Sequence, residues 1–126
     1  MSARLEVELD SAVPVYEQIR AQVAAHVAAG RLAAGDRLPP IRTLAADLGL
    51  APGTVARAFR ELEAAGVVVT RRRTGTVVAE RAAVAHPEVR AAAERYVAAA
   101  RAAGLCDEAA IDLVRGALLQ PDREPA

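Results

Sequence analysis

Hydrophobic residues recur at spacings of three and four along successive stretches of the chain, which is the spacing of a buried helix face. A glycine follows each of the first three stretches, at Gly30, Gly49 and Gly66, where a helix commonly ends in the left-handed conformation. The pattern therefore predicts three helices near the N-terminal end of the chain. Their apolar positions are Tyr16, Ile19, Val23 and Val27 in the first helix, Ile41, Leu44, Ala45 and Leu48 in the second, and Val55, Phe59 and Leu62 in the third.

A very short turn separates the second and third predicted helices. Gly49 ends the second helix, and Pro52 occupies a favourable first position of the third, so that only Leu50 and Ala51 lie between these two residues. Two short helices joined by a short turn with a glycine form the pattern of a helix-turn-helix.

The N-terminal residues alternate between apolar and acidic side chains. Leu5, Val7 and Leu9 are the apolar positions, and glutamates lie between them. Because a period of two is typical of a strand with one buried face, the alternation predicts a short strand over residues 5–9.

Residues 67–70 and 76–79 are rich in β-branched side chains, which favour strands. They flank an arginine-rich turn from Arg71 to Gly75, and this arrangement predicts a β-hairpin. A hairpin that follows a helix-turn-helix forms its wing, so we expect a winged helix-turn-helix over residues 14–79.

The chain returns to a helical spacing from Pro87, and Gly104 divides this region into two predicted helices. The predicted fold class is therefore mainly α with a small β-hairpin. A winged helix-turn-helix domain over residues 1–80 is followed by a short two-helix dimerisation region over residues 81–126. The residues expected to hold two copies together are Val89, Ala93, Tyr96, Val97, Ile111, Val114 and Leu118.

Composition narrows the functions that this fold can serve. The chain has 126 residues, no net charge, two tyrosines, one phenylalanine and no tryptophan, so its core must be thin and aliphatic, and a second copy would help to complete it. Positive charge is nevertheless concentrated between residues 36 and 81, where eight arginines outnumber five acidic residues. Such a local basic surface indicates a nucleic-acid partner, although the use of arginine alone also fits a general compositional bias.

The same composition argues against catalysis and against secretion. The sequence contains no histidine–carboxylate cluster, no phosphate-cradling glycine loop and no metal-spaced ligands, so we expect neither an enzyme nor a bound cofactor or metal. The single cysteine, Cys106, excludes an internal disulfide, and the N-terminal residues lack an apolar signal region. We therefore expect a cytoplasmic protein that does not enter a membrane.

Three long motifs carry a resemblance to a known family. The chain contains P-x-Y-x-Q-I from Pro14, G-R-L-x-x-G-D-R-L-P from Gly30 and T-V-x-R-A-F-R-E-L-E-x-x-G from Thr54. In this order they resemble the DNA-binding domain of the GntR family, and the region after the wing resembles the dimerisation tail of its YtrA-like subfamily. The resemblance implies a bacterial transcription regulator, in particular a homodimeric repressor that binds an inverted repeat in double-stranded DNA and controls a transporter operon.

The later of the two helices in a helix-turn-helix, here the third predicted helix, enters the major groove with its N-terminal residues near the bases. This helix is called the recognition helix. The resemblance implies that Arg42 contacts DNA. At the start of the recognition helix, the backbone N–H groups of Gly53 and Thr54 and the Thr54 hydroxyl can meet a phosphate. Arg57 is favoured over Arg60 for base contacts because it lies nearer the start of the helix. The complete predicted DNA-binding set is Arg42, Gly53, Thr54, Arg57, Arg60, Arg71, Arg72, Arg73, Gly75 and Thr76.

Several of these assignments have a structural alternative. Arg57 could instead form a salt bridge with Glu61, which lies one helical turn away, and Arg42 could be an ordinary solvated residue. Tyr16 and Phe59 are interpreted as core residues rather than as groups that stack on bases.

Three departures from the family pattern affect the expected contacts. The third helix begins with Ala51, Pro52 and Gly53, which offer few side-chain donors. Pro40 replaces a serine that could have capped the second helix, and Arg73 replaces the first glycine of the wing tip. Within the wing, Arg73 is favoured over Arg72 for a contact with DNA.

A protein-interaction module without sequence-specific DNA binding is the other function that the predicted fold allows, because winged helices also dock proteins. Three consecutive arginines at the wing argue against it. A small-molecule effector would need a pocket between subunits or between the two domains, since the C-terminal region is too small to enclose a ligand alone.

Overall fold

The structure of the protein is a computed structural model, and it describes residues 4–83 and 86–120. Its elements confirm the predicted fold class, and backbone contacts divide them into two compact units, with the last two helices forming the second unit. The elements are helices α1 (Val15–Ala28), α2 (Ile41–Leu48) and α3 (Pro52–Ala64), strands β1 (Val68–Arg71) and β2 (Gly75–Val78), a 3₁₀ helix (Glu80–Ala83), and helices α4 (Pro87–Ala102) and α5 (Asp107–Leu119).

One aliphatic core holds the first unit together. Ile19 of α1 and Leu62 of α3 are fully buried, and Phe59 is buried beside them, as predicted. Burying one such side chain contributes about 1.5–3 kcal/mol. Tyr16 is half-buried and packs against this core. The buried residues of the core are Ile19, Val23, Val27, Leu32, Leu38, Leu44, Ala45, Val55, Ala58, Phe59, Leu62, Val68 and Val78.

The turn between α2 and α3 confirms the predicted helix-turn-helix. Gly49 has a φ of +69°, which a residue with a side chain rarely adopts, and it directs the chain away from α2. The Leu50 N–H then donates to the Ala45 carbonyl oxygen at 2.8 Å. Pro52 begins α3, where its missing N–H removes a donor that would have no partner inside the helix.

The wing contains a third extended segment beside the predicted hairpin. Strands β1 and β2 are antiparallel, with Val69 opposite Val77. On the other edge of β2, Arg37 forms a β-bridge with Val77, and the Leu38 N–H donates to the Thr76 carbonyl oxygen at 2.8 Å. Strand β2 is therefore central, and both of its edges are paired.

The predicted strand over residues 5–9 is wrong. The segment forms no strand, because side-chain amides of α1 take the place of a neighbouring strand. The Glu6 N–H donates to Gln22 Oε1 at 2.9 Å, and the Glu8 N–H donates to Gln18 Oε1 at 2.8 Å. Each amide also donates through its Nε2 to the carbonyl oxygen of the same glutamate.

The alternation of apolar and acidic residues in this segment is nevertheless explained by its contact with α1. Two extended residues and four helical residues both span about 6–7 Å, so glutamines spaced by four on α1 match every second residue of the segment. Leu5 and Val7 are half-buried against the core, whereas Leu9 is 72% exposed and continues no buried face.

The second unit consists of α4 and α5, and it buries little of its apolar surface. Ala100 is the one buried side chain among its described residues. The Tyr96 hydroxyl joins the two helices by donating to the Ala110 carbonyl oxygen at 2.5 Å. None of the helices in the described part of the chain is long and apolar enough to span a membrane.

Candidate nucleic-acid interface

One face of α3 carries basic residues on the side opposite the core. Successive helical residues are rotated by about 100°, so Gly53, Arg57 and Arg60 fall on the side opposite Val55 and Leu62. The first three are exposed, and the last two are fully buried. The predicted recognition helix therefore presents a glycine and two arginines to solvent.

The N-terminus of α3 has no side-chain cap. Ala51 stands at the cap position, and the Thr54 N–H donates to the Ala51 carbonyl oxygen at 3.1 Å. The prediction that both Gly53 and Thr54 offer free N–H groups is thus wrong for Thr54, whereas the contact of its hydroxyl with DNA stays a prediction. Among the described residues, nothing accepts a hydrogen bond from the Gly53 N–H, and this donor at the positive end of the helix suits a phosphate oxygen.

Arg57 lies over an aromatic ring of α1. Its guanidinium carbon is 3.8 Å from the centroid of the Tyr16 ring, which is a cation–π contact. No ion pair joins Arg57 to Glu61 within the described part of the chain, so the alternative interpretation of Arg57 is wrong. The ring orients a charged guanidinium at the surface and leaves its N–H donors available.

An ion pair between Glu17 and Arg20 on α1 lies close enough to Glu61 for its charge to affect the pKa of Arg20. Arg20 donates to Glu17 from Nε at 2.8 Å and from Nη2 at 2.5 Å. These hydrogen bonds lower the pKa of Glu17 and raise the pKa of Arg20, and the charge of Glu61 makes a smaller contribution that also raises the pKa of Arg20. Glu61 thus acts on Arg20 of the neighbouring helix.

Arg42 lies in the first turn of α2 and is exposed. It projects away from the buried side of the helix, which Leu44 and Ala45 form. Pro40 precedes the helix and contributes no capping side chain, as its replacement of a serine predicts. Arg42 forms no hydrogen bond or ion pair with a described residue, so its guanidinium is available to a partner.

The wing has a core face and an outer face. Residues that lie directly opposite each other in an antiparallel ladder share a face. Arg71 lies opposite Gly75, and Arg37 lies opposite Val77, which is two residues from Gly75 on β2. We call the face that carries Arg37, Arg71, Gly75 and Val77 the outer face of the wing. Val78 points the other way, into the core.

The outer face of the wing gathers some of the predicted DNA-binding residues and not others. Arg73 lines one shallow groove together with Arg37 and Arg71, and Arg72 is not among the residues that line it. Thr76 lies on the core face and is half-buried. The structure thus places Arg73 with Arg37 and Arg71 and places Arg72 and Thr76 elsewhere, and the preference for Arg73 over Arg72 stays a prediction.

Arg37 is a residue of this interface that the sequence analysis did not single out. Its guanidinium lies against the backbone of Gly75, where a Cβ would be 3.6 Å from Nε and 3.7 Å from Nη2. One feature of the sequence could have indicated that Arg37 lies in an extended segment. A charged residue, Arg37, alternates with an apolar one, Leu38, just before two prolines, and the structure exposes the first and buries the second. Without the pairing partner on β2, that signal does not place the arginine on the wing.

An apolar groove runs between α4 and α5. Two predicted dimerisation residues, Val89 and Leu118, lie outside the groove and are 62% and 78% exposed. Leu113 is 57% exposed on the other side of α5 and was not predicted. The predicted dimerisation residues that line the groove are Ala93, Tyr96, Val97, Ile111 and Val114.

His26 is occupied by hydrogen bonds within the first unit. Arg31 Nε donates to His26 Nδ1 at 2.8 Å, and His26 Nε2 lies 2.8 Å from the carbonyl oxygen of Arg4. Among the described residues, no three histidine, cysteine or acidic side chains are placed to share a metal ion. Both ring nitrogens of His26 therefore have protein partners.

Comparison with known proteins connects this geometry to a family. The family described as bacterial regulatory proteins, gntR family, matches residues 15–78, which include α1, the helix-turn-helix and the wing. The HTH-type transcriptional regulator Rv1152 of Mycobacterium tuberculosis is 48% identical over 101 residues, which are 80% of this chain and 83% of that protein. The similarity therefore covers more of the chain than the family match does.

Two proteins named YtrA are also similar. The HTH-type transcriptional repressor YtrA of Bacillus subtilis is 37% identical over 62% of this chain and 60% of its own length. The structure of YtrA from Sulfolobus acidocaldarius, a GntR-family transcription factor, superposes with a TM-score of 0.58 and 34% identity over 75% of this chain and 97% of that one. These findings confirm the resemblance inferred from the motifs, and the relatives are transcription regulators rather than enzymes.

Proposed function

Since the chain belongs to the GntR family of bacterial regulatory proteins, we propose that it is a transcriptional repressor that binds an inverted-repeat operator in double-stranded DNA as a homodimer. The observation that carries the proposal is the set of exposed arginines around an uncapped recognition helix. Arg42 and Arg60 have no ion-pair partner in the described part of the chain, and Arg57 is oriented by the Tyr16 ring.

The chemistry of this surface fits a duplex. A major groove admits one helix, and the exposed side of α3 has no side chain at Gly53, which lets the backbone approach a phosphate closely. Arg57 lies one turn further along the same side and can reach a guanine edge with two N–H donors. Arg42 on α2 and the wing arginines then hold phosphates on either side of the groove.

The C-terminal helices support the homodimer. They expose Val97 and Ile111, which are 41% and 49% exposed, around the groove between α4 and α5. Contiguous apolar surface of this kind marks an interaction site, and a second copy of the same groove is a self-complementary partner about a two-fold axis. Two recognition helices related by that axis would require two half-sites in opposite orientation.

The regulatory output is proposed from the relatives. The Bacillus subtilis protein is named a repressor, and the resemblance to the YtrA-like group favours control of a transporter operon from within the cytoplasm. A small-molecule effector would act by binding between subunits and changing the distance between the recognition helices. A ligand that binds the protein but leaves its affinity for the operator unchanged would exclude that mode of regulation.

Alanine substitution of Arg42 and Arg57 tests the proposal. With duplexes selected from a randomised library, Arg42→Ala combined with Arg57→Ala should weaken binding by about thirtyfold or more, since each contact is worth roughly 1–3 kcal/mol. Arg95→Ala, on the side of α4 away from the groove, is the control and should bind normally. Sedimentation should give the same dimer for all variants. Unchanged DNA binding by the double variant would contradict the proposed site.

A further inference from the structure

We propose that Arg37 is a further DNA-contacting residue, which binds a backbone phosphate together with Arg71 and Arg73 on the outer face of the wing. This inference rests on the proposed function, because it needs a duplex at the wing. It adds to the helix-turn-helix a basic residue from the segment that precedes α2. Arg37 lies within the motif that begins at Gly30, outside the helix-turn-helix and the wing hairpin, and it was not among the predicted DNA-binding residues.

The pairing of the wing places Arg37 beside the hairpin arginines. Arg37 lies opposite Val77 on the third extended segment, and Arg71 lies on the same face at the end of β1. Together with Arg73, they line one groove. Three arginines, one from the segment before α2 and two from the hairpin, therefore line the same groove.

The Arg37 guanidinium lies against the backbone of Gly75. Nε and Nη2 are 3.6 and 3.7 Å from the position of a Cβ at residue 75, so a methyl group would just be accommodated and a longer side chain would compete for that space. Glycine also fits the φ of +75° that the turn requires at this point. The arginine is therefore held near the wing tip rather than extended away from it.

The charge at this groove is unbalanced. Glu80 is the one acidic residue that lines it, and it forms no ion pair with the three arginines in the described part of the chain. Like charges brought together repel one another, and an anion placed between them relieves that repulsion. A phosphate of the DNA backbone fits because a guanidinium donates to two of its oxygens at once.

The salt dependence of binding tests this role. Each neutralised phosphate contributes about −0.9 to the slope of log affinity against log salt. Arg37→Gln keeps the stem of the side chain and removes the charge, so the slope should become shallower by about 0.9 and affinity should fall roughly fivefold on both selected and unrelated duplexes. Arg37→Lys should retain most of the slope, and Arg95→Gln is the control for loss of one charge.

Two results would overturn the inference. One is a slope for Arg37→Gln equal to that of the unmodified protein, and the other is a loss confined to selected duplexes, which would place Arg37 on a base edge. Circular dichroism of each variant confirms that its fold is retained. The proposed function fails separately, if the unmodified protein binds duplex DNA no better than the variant with both Arg42→Ala and Arg57→Ala.

Discussion

The two units of the chain differ in how much of their apolar surface they bury. Helices α1 to α3 and the wing enclose side chains such as Ile19 and Leu62 completely, and their exposed surface is rich in arginine. Helices α4 and α5 bury Ala100 among their described residues and leave Val97 and Leu118 in solvent. The difference teaches that the first unit encloses its own core, whereas the second exposes the apolar surface that the proposed partner copy would cover.

The largest effect should come from the core of the first unit. Leu62→Ala removes a fully buried side chain and should lower the free energy of unfolding by about 2–5 kcal/mol. Leu9→Ala is the matched control, because Leu9 is 72% exposed, and it should cost less than about 0.5 kcal/mol. Denaturant unfolding measures both, and equal losses for the two variants would remove the contrast between enclosed and exposed leucines.

The next effect should appear in the second unit as a loss of assembly. Ile111→Glu places a charge in the proposed dimer surface and should weaken self-association by roughly a hundredfold, while the first unit stays folded. Leu113→Glu introduces the same charge on the other side of α5 and should leave the dimer intact. Sedimentation over a range of concentrations provides the measurement. If Leu113→Glu is the more disruptive change, the dimer uses the opposite side of α5.

The smallest effect should be a local loss of stability where the N-terminal segment contacts α1. Gln22→Ala removes the two hydrogen bonds that tie Glu6 to α1, and it should cost about 1 kcal/mol locally. Amide hydrogen exchange at Glu6 should accelerate, while exchange in α3 should not change. Gln120→Ala provides the control in the second unit. Protection of the Glu6 amide that survives the loss of Gln22 would mean that the N-terminal segment is held by other contacts.

Local rules were sufficient to predict the helices and their ends. Gly49 and Pro52 set the boundaries of α2 and α3 through backbone conformation alone, which any reading of the sequence can use. The buried positions of α1 and α3 also followed, because spacing on a helix decides which side chains share a face. The hairpin was predictable from its β-branched residues, although its strands are shifted by one residue from the predicted ones.

Contacts between distant segments were beyond those rules. Leu5 and Val7 alternate as a strand would, yet the partner is a pair of glutamine amides on α1. The stacking of Arg57 on Tyr16 joins residues on different helices, and spacing along α3 suggested Glu61 instead. A sequence pattern reports which groups need partners, but only the tertiary fold decides which partner is within reach.

We propose that the first unit binds DNA and that the second unit holds two copies together. The DNA that the intact protein selects tests this account most directly. Selection from randomised duplexes, followed by a footprint of the selected sequence and the stoichiometry of the complex, should give two identical half-sites in opposite orientation, about one helical turn apart, with two chains bound. A single unrepeated half-site bound by one chain, or no sequence preference at all, would contradict the account.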